Sequence, residues 1–165
     1  MNMPLIIKET VSKTYFDMQN AITYDFEKYI PEMRDDKFSR EVSKGFYYYA
    51  NLKETAEYTA VIYIIREEFM GEQAPLTYKL VTFDKEGTII DQLIVAGRED
   101  FKEELRSCTI NSKMDITIDL FETKFERDPD TEGYYDNPIV SKSKVGTQKY
   151  RIGANGKITE VNRVA

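Results

Sequence analysis

Residues 76–97 read LTYKLVTFDKEGTIIDQLIVAG, and the way this stretch folds decides the architecture. Its two ends are rich in the aromatic and β-branched residues that fit a pleated strand, and a polar break at 84–87 separates them. Asp84 at the first turn position and Gly87 at the fourth suit a type I turn followed by a left-handed bulge residue. A break this short joins only antiparallel strands, because a parallel pair needs a long crossover. The stretch is therefore a hairpin. It recurs as IGANGKITEVNRVA, residues 152–165, where Gly87 falls on Gly156, Ile89 on Ile158, Asp91 on Glu160, Val95 on Val164 and Ala96 on Ala165. Asn155–Gly156 makes the second turn signal stronger still. The question left by the repeat is whether Asp91 and Glu160 face water or an interior.

Working outward, EYTAVIYIIREEF (57–69) is apolar on both alternating sets: Tyr58, Ala60, Ile62 and Ile64 on one side, Val61, Tyr63 and Ile65 on the other. Such a strand belongs in the middle of a sheet, covered on both faces. FYYYANL (46–52) precedes it across the turn KETAE. Further back, Val11, Tyr15, Met18, Ile22, Phe26 and Tyr29 recur at helical spacing over 10–30, with Thr10 or Ser12 to cap the start and Pro31 to stop the end. This predicts an amphipathic helix lying on one sheet face. The sheet's own curl, or a second chain, covers the other. Residues 31–44 read as a connector with a short helical piece at 36–44.

Towards the C-terminus, REDFKEELRS (98–107) reads as a small helix or turn, and CTINSK (108–113) as a short strand. MDITIDLFETKFERD (114–128) alternates through Met114, Ile116, Ile118 and Leu120 before the apolar set shifts to Phe121 and Phe125, which predicts a β-bulge near Leu120. A long turn, DPDTEGYYDNP (128–138), leads to the last strands at 139–153 and 157–161. The expected fold is α+β and a single domain over 1–165. Residues 1–44 form a helical segment packed on a curved antiparallel meander, or partly closed barrel, of about eight strands over 45–165.

Composition narrows the chemistry. A formal net charge of −6 argues against a general nucleic-acid binder, which needs a basic surface. No apolar run is long enough for a membrane span, and the start MNMPLIIKETVSK carries no export signal, so the expected compartment is the cytoplasm, or outside it if a signal has been removed. There is no histidine, which removes Ser-His and Cys-His nucleophiles and the commonest metal ligand. The single cysteine, Cys108, reads as a small half-buried strand residue. Over 119–136 seven carboxylates oppose two cations, and over 137–165 six cations oppose one carboxylate, so the two stretches carry net charges of −5 and +5. As antiparallel neighbours they neutralise each other; the competing reading is a basic recognition strip, which needs its charge unmatched.

Three constellations bear on function. Asp128, Asp130, Glu132, Gly133 and Asp136 fall at positions 1, 3, 5, 6 and 9 of an EF-hand-type calcium loop, but Ile139 stands where the bidentate Glu is needed. Calcium is the one cofactor the sequence leaves open; its competing reading is a solvated acidic loop. Among carboxylates, Asp84 and Glu86 lie in a turn, whereas Asp91 sits inside an apolar strand and is the stronger candidate for acid–base work. Tyr47, Tyr49, Tyr58 and Tyr63, with Asp91, are the candidate ligand- or partner-binding residues, since tyrosine combines area with a polar tip.

The succession YKLVTFDKEGTIIDQLIVAG, MDITIDLFE and QKYRIGANGKITEV resembles a set of uncharacterised small proteins of Bacteroides-type bacteria. These pair a DxxG-x-I-I-D hairpin with a C-terminal YRI…NGKI hairpin. The resemblance spans about residues 76–165. It implies an N-terminal helix on an antiparallel meander, brings no catalytic residues, and comes with relatives that are often exported or lipid-anchored. The functional expectation is a non-enzymatic module that binds a protein partner or small ligand through a tyrosine-rich sheet face, with a homodimer as one form of that. The alternative is a carboxylate-dependent hydrolase with a shallow acidic site at Asp91 or the 128–136 loop.

Overall fold

The computed structural model describes residues 3–8, 21, 22, 29, 30, 45–66, 68, 69, 72, 73, 75–134 and 136–161. The hairpin at 84–88 closes through Gly87 N–H to the Asp84 carbonyl (3.1 Å) and Asp84 N–H to the Thr88 carbonyl (2.9 Å). Its second copy repeats both bonds, from Gly156 to Gly153 (3.0 Å) and from Gly153 to Lys157 (2.9 Å). Gly87 and Gly156 have φ of 82° and 83°, the left-handed conformation the bulge position requires.

Eleven strands run along the described chain: β1 (Leu5–Ile7), β2 (Phe46–Glu54), β3 (Thr59–Ile65), β4 (Glu68–Phe69), β5 (Glu72–Gln73), β6 (Thr77–Phe83), β7 (Ile89–Gly97), β8 (Leu105–Ile110), β9 (Asp115–Phe125), β10 (Ile139–Ile152) and β11 (Ile158–Glu160). β4 and β5 form a small hairpin of their own. The others make one nine-stranded sheet in the order β11-β10-β9-β8-β7-β6-β3-β2, with β1 added against β8. Every pairing is antiparallel.

The expected α+β class does not hold. Among the described residues the only α-helix is the four-residue α1 (Pro129–Glu132). Within the stretch expected to be helical, Ala21 forms a β-bridge with Tyr47, and Ile22 N–H donates to the Phe46 carbonyl at 2.8 Å. A helix would spend that N–H on the carbonyl four residues earlier. The rest of the predicted helix, 10–20 and 23–28, and the predicted helical piece at 36–44 lie outside the described residues. Leu5–Ile7 is strand, so 1–44 is not a helical segment throughout. Nor is there a closed barrel: among the described residues no ladder joins β2 to β11.

β3 and β6 are central and covered on both faces, as their two-sided apolar pattern requires. One cluster unites Ile62, Ile64, Leu80, Val95, Ile110, Ile116 and Ile118 on the inner side of the curved sheet. The other, smaller cluster packs Phe46, Tyr63 and Val81 on the outer side, under Ile22, Tyr29 and Ile30. Tyr29 meets Phe83 edge-on, ring centroids 5.5 Å apart. The bulge expected near Leu120 lies on the partner strand: Lys144 pairs with Phe121 and Gly146 with Leu120, which leaves Val145 as the extra residue. Among the described residues no helix is long and apolar enough to cross a membrane.

The sheet is shaped by a change of neighbour at one edge and by a contact between its two hairpin copies. β7 meets β8 only at Gly97–Arg106, and β1 takes over the edge of β8 from Cys108 to Ile110. Gly97 (φ 72°) is obligatory there, because a Cβ would lie 1.9 Å from the Leu76 carbonyl oxygen. Beyond this junction the sheet curls until the second copy of the hairpin docks on the first. Thr82 Oγ1 donates to the Gly156 carbonyl at 2.7 Å, and Ile158 N–H donates to Asp91 Oδ2 at 2.9 Å.

Candidate functional site

The candidate tyrosines do not form one exposed face. Tyr58 and Tyr63 are 3% and 2% exposed and belong to opposite clusters. Tyr47 and Tyr49 are half-buried and pack on the inner cluster, Tyr49 edge-on to Tyr78 at 5.3 Å. Tyr48 between them is the exposed member of the run. Alternation separates the residues that composition groups together.

Asp91 faces inward. It stands opposite Thr82, on the side that carries Leu80 and Leu93. Its Oδ2 accepts the Ile158 N–H and its Oδ1 accepts the Gln92 N–H at 2.9 Å, so both oxygens serve the backbone. Asp84 does the same at the turn, with Oδ1 accepting from Glu86 (3.0 Å) and Thr88 (2.8 Å). Through these bonds Asp91 braces the two hairpins and Asp84 caps its turn.

The acidic loop is organised around backbone too. Asp128 caps α1, its Oδ1 accepting Asp130 N–H at 3.0 Å, and Gly133 N–H closes the helix on the Pro129 carbonyl at 2.9 Å. Asn137, nearly buried, donates to the Arg127 and Gly133 carbonyls (both 2.8 Å) and accepts Arg127 N–H (2.9 Å). The Arg127 guanidinium donates to the Asp136 carbonyl. Asp130 turns to Lys102 at 3.8 Å. Asp128, Asp130, Glu132 and Asp136 therefore do not converge, and among the described residues no three acidic or cysteine side chains gather as a metal centre needs. Cys108 lies in the core, where burial first and the Asp119 charge second push its thiol up to about 12, far from reactivity.

The described surface does hold an open cleft of about 880 Å³, between the loop that joins β7 to β8 and the corner where β9 runs into α1. Phe101 stacks on Tyr134, centroids 4.6 Å apart and planes 15° off parallel. Phe125 meets both rings edgewise, at 6.3 Å and 5.1 Å. Arg98 fixes the loop beneath them. Its N–H donates to the Leu76 carbonyl (3.0 Å), and its carbonyl accepts the Thr77 hydroxyl (2.9 Å). Arg98 is buried, at 3% exposure, and its guanidinium donates to Thr123 Oγ1 (2.8 Å) and the Glu103 carbonyl (3.2 Å). It lies 5.5 Å from the Phe101 centroid and 5.8 Å from that of Phe125, within cation–π range. The three rings above it stay partly exposed.

The rim is charged. Lys102 and Asp130 bridge the mouth, and Arg106 approaches Glu103 at 3.9 Å. Glu104 and Glu122 also line the cleft and make no ion pair among the described residues. None of the sequence-derived site residues except Asp130 borders this cleft. Its sequence signals are slight: Phe101 is the lone aromatic in a charged run, Phe125 belongs to the shifted apolar set, and Tyr134 follows the loop glycine.

Compared with models of known families, with curated proteins and with solved structures, the chain matches none.

Proposed function

We propose that this chain is a binding module whose ligand site is the Phe101–Phe125–Tyr134 cleft. The observation that supports this is a partly exposed aromatic trio at the base of a cleft of about 880 Å³, held by a buried arginine. Aromatic surface left partly wet and rigidly supported is characteristic of ligand pockets, and a cleft of this volume suits a small molecule or one side chain of a peptide. Glu104 and Glu122 give its rim unmatched negative charge, so the favoured ligand carries a flat apolar group and a positive charge.

A panel of aromatic amines and matched aromatic acids, read by thermal shift, tests the reading. The amines are expected to raise Tm and the acids to leave it unchanged, with the amine shift lost in Tyr134→Ala. If no amine stabilises the native chain more than it stabilises Tyr134→Ala, the cleft is not the site.

A further inference from the structure

A second cavity lies where β7 has parted from β8, between β7 residues and Gln148 and Tyr150 of β10. Its volume is about 430 Å³, and its polar lining is Lys79, Gln92, Arg106, Gln148 and Tyr150. Leu93 and Ile94 of β7 wall one side. In a chain of net charge −6, this slot is lined by two cations, two amides and a phenol, with no carboxylate among its lining residues.

Arg106 is the informative member. Its backbone is fixed by the single β7–β8 pair, opposite Gly97, and its side chain is among those that line the slot. Its Nη1 is shut off from water and has no hydrogen-bond acceptor among the described residues. Glu103 at 3.9 Å pairs with it by charge but is too distant for a hydrogen bond. A guanidinium donor held dry without an acceptor is a cost that an entering anion removes. Around it, the Tyr150 hydroxyl donates to Gln148 Oε1 at 3.5 Å, and the Gln148 amide adds a donor group to the slot's lining. The planar guanidinium fork matches two oxygens of one acid group, and Lys79 also lines the slot.

We propose that this slot binds a small oxyanion, the carboxylate or phosphate group of a low-molecular-weight ligand, with Arg106 as its anchor. This site is separate from the aromatic cleft, although Arg106 borders both.

The test is a titration of the isotope-labelled chain with inorganic phosphate and, separately, with citrate, at constant ionic strength and against sodium chloride. Saturable amide and side-chain shifts at Gln92, Arg106, Gln148 and Tyr150 are expected with at least one of the two ions. Affinity should fall by about tenfold or more in Arg106→Gln, as for loss of a charged hydrogen bond. Gln148→Leu, which leaves Arg106 in place, should weaken binding as well and serves if Arg106→Gln does not fold. Tyr134→Ala should leave the oxyanion affinity intact. Shifts that match chloride, or an affinity unchanged in Gln148→Leu and in any folded Arg106→Gln, overturn the proposal. So does loss of binding in Tyr134→Ala, which moves the anion to the aromatic cleft.

Discussion

Asp91 is the residue at which the catalytic and structural readings part. Its position inside an apolar strand marks it as unusual, and it does face the interior, opposite Thr82. Interior carboxylates draw attention because burial disfavours charge. This one receives two backbone N–H groups, and one of them, Ile158, lies 67 positions away. The carboxylate ties the first copy of the repeated hairpin to the second. Asp91→Ala should therefore cost about 1–3 kcal/mol, the range for a charge-assisted hydrogen bond whose donor is left unpaired, measured by denaturant unfolding. Asp91→Asn keeps an acceptor and should recover part of that loss. Equal stability of Asp91→Ala and the parent would refute the brace. Gly156 belongs to the same junction: a Cβ there would sit 2.8 Å from Ile90 Cδ1 and 2.9 Å from Tyr58 Cβ, so its side chain is excluded by packing as well as by φ.

The β9–β10 ribbon shows how charge is used along an element. Lys144 reaches diagonally to Asp119 at 2.8 Å and Arg151 reaches Asp115 across the ladder at 2.6 Å, so the basic strand neutralises its acidic neighbour at these two places. The hydrogen bond from Lys144 holds the Asp119 carboxyl below the ordinary range, against the opposing effect of burial. The hydrogen bond from Arg151 does the same for Asp115, with help from Asn111. A depressed carboxylate stabilises the fold above the unfolded-state value near 4 and loses that contribution as pH falls through its folded value. Acid unfolding should therefore steepen below about pH 4. Asp115→Asn and Asp119→Asn together should flatten it, as followed by circular dichroism; an unchanged acid limb would show the pairs to be idle. At this scale the sequence is legible where the signal is local. The turns at 84–88 and 153–157 follow from Asp84, Gly87, Asn155 and Gly156 alone. The helical stripe over 10–30 misleads at Ala21 and Ile22, where pairing with the Tyr47 region outweighs the 3.6-residue period. The aromatic cleft was hidden for another reason: Phe101, Phe125 and Tyr134 meet only after β7, β8 and β9 have docked.

For the whole molecule, the decisive place is the junction at Gly97, where one sheet edge passes from β7 to β1. The carbonyl of Leu76 fills the space a side chain would need, and Arg98, next in the chain, carries the support of the cleft. Gly97→Ala should destabilise by about 4 kcal/mol or more, among the largest effects of single substitutions. In any surviving folded fraction, amine binding should weaken too. A melting temperature within a degree or so of the parent would mean the junction yields easily. The docked pair of hairpins also sets an order on events during synthesis. Thr82 waits for an acceptor 74 positions downstream, and Asp91 for a donor 67 downstream. While the chain is still on the ribosome, β6 and β7 can pair as soon as they emerge, but the turn end of that hairpin, at Thr82 and Asp91, lacks these two partners until residues 153–160 have been made. The last described turn is thus the piece that completes the hydrogen bonding of the first.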